Sequence, residues 1–157
     1  MSNVPPIESL LEDVKRHWAK DGVRLQPGVR TEELDEFARK YRVALPDDLC
    51  AYFAAINGME DSFFDMNMMS FWRLSRVVPL PDPKVWGYKD VPGLEDVECY
   101  FVFGDFMIES HYYAIKLTEN GEDSGAVIST AADCPYRVAD SFGEFLWLYL
   151  NDNDKAL

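Results

Sequence analysis

Leu45-Pro46-Asp47-Asp48-Leu49-Cys50-Ala51-Tyr52-Phe53-Ala54-Ala55-Ile56-Asn57-Gly58 marks the point where the chain changes its hydrophobic period. Before it, apolar residues recur every three to four positions, and after it they gather in short runs. Within it, Pro46 suits the first turn of a helix, where its missing N–H leaves no bond unmade. Leu49, Tyr52, Phe53 and Ile56 then fall on one stripe, the pattern of a helix that buries one side. Asn57-Gly58 predicts the stop, because both residues tolerate the left-handed conformation that closes a helix.

Toward the N-terminus the same period gives two more helices. Ile7, Leu10, Leu11, Val14 and Trp18 share a face, so a helix is predicted over 7–18, introduced by Pro5-Pro6 and ended at Asp21-Gly22. A second is predicted from Thr31, a possible cap, with Glu32, Glu33 and Asp35 at the positive end of its dipole. Arg39, Lys40 and Arg42 sit at the other end, and Leu34, Phe37, Ala38 and Tyr41 supply the buried side.

Toward the C-terminus the pattern turns extended. Phe71–Leu74 and the run to Val77-Val78 read as strand, until Pro79, Pro81 and Pro83 break any ladder. Tyr100–Phe103, ended by Gly104-Asp105, then Tyr112–Leu117 and Ala126–Thr130 are expected to be antiparallel neighbours. The connection over 79–97, rich in Pro, Asp and Gly, exceeds the usual loop length and is therefore expected to be functional or mobile. Ser141-Phe142-Gly143-Glu144 fits a capping box, and Phe142, Phe145, Leu146 and Tyr149 follow as the packing stripe of a last helix.

Composition limits what such a chain can do. With 157 residues it is expected to form one domain, and 48% hydrophobic against 27% charged residues is ordinary globular composition. Asp and Glu number 28 against 15 Lys and Arg, a net charge of −13. That balance argues against a nucleic-acid backbone or an anionic lipid surface as the ligand. The excess is not uniform. Residues 1–46 carry 8 acids and 8 bases, whereas 47–157 carry 20 acids and 7 bases. An asymmetry of this kind can attract a basic partner, or it can simply keep the protein soluble. The start, Met-Ser-Asn-Val-Pro-Pro, has neither the basic region nor the apolar core of a secretion signal. Cys50, Cys99 and Cys134 make no disulfide framework and no CxxC motif. Both points lead to the expectation of a cytoplasmic protein with reduced, buried thiols.

A search for catalytic chemistry returns little. His17 and His111 are the only histidines. Ser110 and His111 are adjacent on a strand edge and point to opposite faces, so they are poorly placed to share a proton. Asp105, Glu109 and His111 are close in sequence and could hold a divalent ion, but at a spacing that matches no metal motif. No phosphate-binding glycine loop is present. No enzyme, cofactor or metal site is expected from these residues.

The order of motifs is more telling than any one of them. Leu45-Pro46-Asp47-Asp48-Leu49, Tyr52 and Asn57-Gly58 resemble the opening signature of the SUKH superfamily, in its Smi/Knr branch. Phe103-Gly104-Asp105 followed by Tyr112–Leu117 is similar to that family's paired strands, Gly125-Ala126-Val127 to its next strand, and Val138–Leu146 to its closing helix. The resemblance covers roughly 30–150, within a single domain expected over 1–157. Two departures stand out: the stretch between Gly104 and Tyr112 lacks the family's usual second glycine, and Lys116 replaces an acid.

The resemblance implies an α+β fold, with helices packed against a curved, mostly antiparallel β-sheet. It also implies a non-enzymatic protein-binding role. Bacterial members look like immunity proteins that neutralise toxins, many of them nucleases, and fungal relatives act as regulators or scaffolds of cell-wall synthesis and signalling. The preferred expectation is an immunity protein whose partner is a basic toxin domain. A regulatory protein is the alternative, and a small metal-dependent hydrolase a more distant one. Candidate partner-binding residues are Asp61, Phe63, Phe64 and Asp65 after the third helix, Trp86, Tyr88 and Asp90 in the long connection, and Asp105 and Glu109 after the strand. Acids would set the rate of encounter and buried aromatics the lifetime of the complex.

Overall fold

Among the described residues, four α-helices and six strands form. In the computed structural model, which describes residues 3–85, 94–131, 135–151 and 156, helix α1 spans Ile7–Lys20, α2 Thr31–Tyr41 and α3 Asp47–Ala55. Strands β1 (Met69–Phe71), β2 (Val78–Pro79), β3 (Tyr100–Phe106), β4 (His111–Lys116), β5 (Val127–Ser129) and β6 (Tyr136–Ala139) follow, and α4 spans Phe142–Asn151. The fold is α+β, as expected: the helices pack against one antiparallel sheet of order β1-β3-β4-β5-β6, with β2 also paired to β3.

The helix stripes meet the sheet in a dense aromatic core. Trp18 of α1, Phe53 of α3 and Phe142, Phe145 and Tyr149 of α4 close over Phe71, Phe103 and Tyr113. Their rings meet edge-on or tilted, for example Phe103 and Phe145 at 5.3 Å and Phe71 and Tyr149 at 5.0 Å, the arrangement that aromatic quadrupoles favour. The other side of the sheet is also covered. Trp72, Val102, Tyr112, Ala114 and Ile128 pack with Leu80, Val85 and Leu94 from the connection after β2. That connection is therefore a second layer of core over part of its length. Trp86 and Tyr88 lie outside the described residues.

Several local details differ from expectation, each for a physical reason. Thr31 begins α2 but does not cap it; instead the Arg30 amide donates to the Glu33 carboxylate at 3.2 Å. Helix α3 ends at Ala55, before Asn57-Gly58. Gly58 has φ +63°, yet what demands glycine is crowding, since a Cβ there would stand 2.5 Å from the Trp72 carbonyl oxygen. Gly104 ends nothing: β3 runs through it to Phe106, and its bare backbone lets β1 approach, because a Cβ would lie 2.7 Å from the Ser70 carbonyl oxygen. Strand β6 is an addition to the predicted set. Its Tyr136 and Arg137 face solvent, so it shows no apolar run.

The start of α4 shows why the Leu-Pro-Asp-Asp stretch matters. The first amides of a helix have no partner within it. Ser141 Oγ accepts the Glu144 amide at 3.0 Å, and the Asp48 carboxylate, from α3, accepts the Gly143 amide at 2.9 Å. Glu144 returns its bond to Asp140 rather than to Ser141. One motif thus fixes the mutual position of α3 and α4.

Candidate functional site

Two loops at one end of the sheet are held from below by buried carboxylates. In the loop between α3 and β1, Asp65 Oδ1 accepts the amides of Asn67 at 2.9 Å and Met69 at 3.0 Å. Its Oδ2 accepts the Tyr149 hydroxyl and lies 3.3 Å from His17 Nε2. Phe63 and Phe64 are each 41% exposed and Met66 78%.

The β3–β4 loop is held in the same way. Asp105 Oδ1 accepts the Glu109 amide at 3.0 Å and Oδ2 the Trp72 indole N–H at 2.7 Å. The Met107 amide donates to the Met68 carbonyl at 3.0 Å, which joins the two loops. Between these anchors Met107, Ile108 and Glu109 take φ values of +50°, +54° and +63°. Left-handed backbone is rare for a β-branched residue such as Ile108 and costs of the order of 1–3 kcal/mol at each such position. Ile108 is 75% exposed, so no burial offsets its strain.

A recess of about 190 Å³ lies between the loops. Phe63, Phe64 and Ile108 form its apolar wall, and Ser62, Ser70, Asp105, Glu109 and Arg76 its polar side. The Arg76 guanidinium stacks over the Trp72 ring at 3.9 Å and faces Glu109 at 3.7 Å. Glu109 also accepts the Tyr112 hydroxyl at 3.1 Å, and Asp61 pairs with Arg73 at 3.0 Å. The charges at the rim are largely matched, and the unmatched feature is apolar. A wider cleft, about 450 Å³, runs along α2 beside Phe37, Tyr41 and Val77. It carries Glu33, Glu36 and Lys40 on its walls and has no large exposed apolar side chain.

The candidate residues therefore separate by position. Phe63, Phe64 and Asp61 are exposed beside the recess and Glu109 lines its rim, whereas Asp65 and Asp105 are 2% and 4% exposed and turn their carboxylates inward. Trp86, Tyr88 and Asp90 lie outside the described residues. Sequence reasoning missed Met66, Met107 and Ile108. The available signal was the apolar pair Met107-Ile108 in the short connection between two strands.

The Asp105, Glu109 and His111 trio does not gather into a metal site. In the β3–β4 register Asp105 pairs with Tyr112 and Phe106 with His111, so Asp105 and His111 occupy opposite faces. His111 Nε2 lies 3.1 Å from the Tyr113 hydroxyl. Burial lowers its pKa, and the Asp105 charge works weakly the other way. Cys50 and Cys99 are half-buried rather than fully buried, and burial raises both thiol pKa values, which makes them poor nucleophiles. Among the described residues no helix is long and apolar enough to cross a membrane.

Comparison with curated proteins finds no match. The model of the SMI1 / KNR4 family (SUKH-1) matches residues 28–147, from just before α2 to within α4, and takes in the whole sheet and both loops of the recess. The chain belongs to the SMI1 / KNR4 family (SUKH-1).

Proposed function

We propose that this protein acts by binding another protein through the face formed by Phe63, Phe64, Met107 and Ile108, and that its partner is a basic toxin domain which it neutralises. Family membership fits a toxin-immunity or a regulatory role. The observation that carries the binding reading is the strained, exposed apolar loop. Backbone strain persists only where the surroundings enforce it, and it concentrates at functional sites. Exposed aromatics around a side-chain-sized recess are the usual anchors of an interface.

The basic character of the partner is supported by the net charge of −13. The acids beside the recess are largely paired, so the attraction is a property of the whole molecule. Long-range charge raises the rate of encounter, and the apolar face holds the complex once formed. A nuclease-type toxin, which needs a cationic cleft to hold phosphates, has the matching sign.

The test is co-purification, at low salt, of the full chain with the polypeptide encoded beside it. The expected result is a stable complex that forms more slowly as salt is added and abolishes that polypeptide's toxicity. No complex at low salt would overturn the proposal. A complex with a polypeptide that has no toxicity would move the reading to regulation, served by the same face.

A further inference from the structure

We infer that His17, Asp21 and Asp65 form a binding site for a divalent transition-metal ion of the zinc class, placed where α1 meets the loop between α3 and β1. This inference is independent of the partner-binding reading. His17 and Asp21 also precede the residues the family match covers.

The geometry comes first. His17 Nε2 lies 3.3 Å from Asp65 Oδ2 and 3.6 Å from Asp21 Oδ2. One ligand atom from each of the three residues lies within 4.8 Å of the others. Zinc bonds of about 2.0–2.2 Å to nitrogen and oxygen place tetrahedral ligand atoms roughly 3.3–3.6 Å apart. The two distances from the imidazole already have that size. Spacing of one helical turn brings His17, in the last turn of α1, and Asp21, at its C-cap, to the same side, and Asp65 closes the set from the loop before β1.

Charge is the second observation. The Asp65 side chain is 0% exposed and that of Asp21 10%. Two such carboxylates face each other with one imidazole between them. Among the described residues no lysine or arginine pairs with either. One imidazole can offset at most one of the two carboxylate charges. A divalent ion balances both carboxylates and leaves the imidazole neutral.

The supports are those of a ligand set held in place. Asp65 is oriented by the amides of Asn67 and Met69 and by the Tyr149 hydroxyl, which in turn accepts the Trp18 indole N–H at 3.0 Å. Asp21 is oriented by the Met66 amide at 3.1 Å. Such outer bonds fix the direction of ligating groups and tune affinity. The nitrogen donor selects the zinc class over Mg²⁺ or Ca²⁺, which prefer all-oxygen sets. Three ligands leave a further position, which the partly exposed side of His17 opens to water.

The experiment uses the full chain, freed of metal with EDTA, dialysed and titrated with ZnCl₂ near pH 7. Imidazole ¹H–¹⁵N spectra carry an internal control, since the chain has only two histidines. One equivalent of Zn²⁺ is expected to shift the His17 ring nitrogens and leave those of His111 in place. Calorimetry is expected to show 1:1 binding, weakened at least tenfold by Asp21→Asn and by His17→Gln. Melting curves in EDTA establish that each variant is folded. Millimolar Mg²⁺ is expected not to displace the bound ion. An unmoved His17 signal at millimolar Zn²⁺ would overturn the inference and leave an imidazole bridging two carboxylates. Wild-type affinity in both variants would overturn it too.

Discussion

The same residue types behave in opposite ways at two places in this molecule. Under the helices, Phe71, Phe103 and Phe145 are fully enclosed, on regular backbone. At the end of the sheet, Phe63, Phe64 and Ile108 stand in solvent, on loops with left-handed residues. Hydrophobic burial explains the first group completely. It does not explain the second, where neither area nor backbone favours the arrangement. Buried carboxylates anchor the bases of those loops, and the left-handed residues between them cost stability. The contrast teaches where to look for function: at the apolar groups that the fold positions without burying.

Substitutions can break this contrast. The largest effect belongs to the enclosed side. Phe145→Ala leaves a void among Phe71, Phe103 and Tyr113 and is expected to cost about 3–5 kcal/mol in denaturant unfolding. An unchanged midpoint would place the ring outside the core. Gly58→Val comes next. Its Cβ would overlap the Trp72 carbonyl and its φ is unfavourable for valine, so a loss of about 1–3 kcal/mol or more is expected from overpacking. A melting temperature equal to the wild type's would contradict the close approach of the two segments.

On the exposed side the sign reverses. Ile108→Gly relieves a left-handed β-branched residue with little buried area to lose, and is expected to raise stability by about 0.5–1 kcal/mol. A loss of that size would mean that Ile108 packs more than its exposure shows. The smallest effect is a slope with pH. Burial lowers the folded-state pKa of His111 below its ordinary 6.5. The unfolded chain then binds the extra proton more readily, so stability from this group is full above about pH 6.5 and is lost as pH falls toward the folded pKa. His111→Gln is expected to flatten that part of the stability–pH curve. A curve of unchanged shape would assign the slope to other groups.

Much of the fold was legible in the sequence because helix stripes and apolar strands are local signals. Ile7 to Trp18 and Phe142 to Tyr149 each announce the face they bury. Strand β6 was not legible, since its pairing with β5 is set by register at a distance and Tyr136 and Arg137 look outward. The reach of β3 past Gly104 was hidden for the same reason: the glycine is required by β1, which lies more than thirty residues earlier. At the face itself, Phe63 and Phe64 were identifiable as large rings in a polar loop. Asp65 and Asp105 looked like surface acids. Only the packing shows that one accepts two amides and the other an indole.

We propose that the Phe63–Phe64–Ile108 face binds the partner. The most direct measurement is the dissociation constant of the captured complex for wild type and for Phe64→Asp, with the melting temperature of each free protein measured alongside. At least a tenfold loss of affinity is expected, carried by faster dissociation, with the melting temperature essentially unchanged. Equal affinity in a folded Phe64→Asp variant would contradict it.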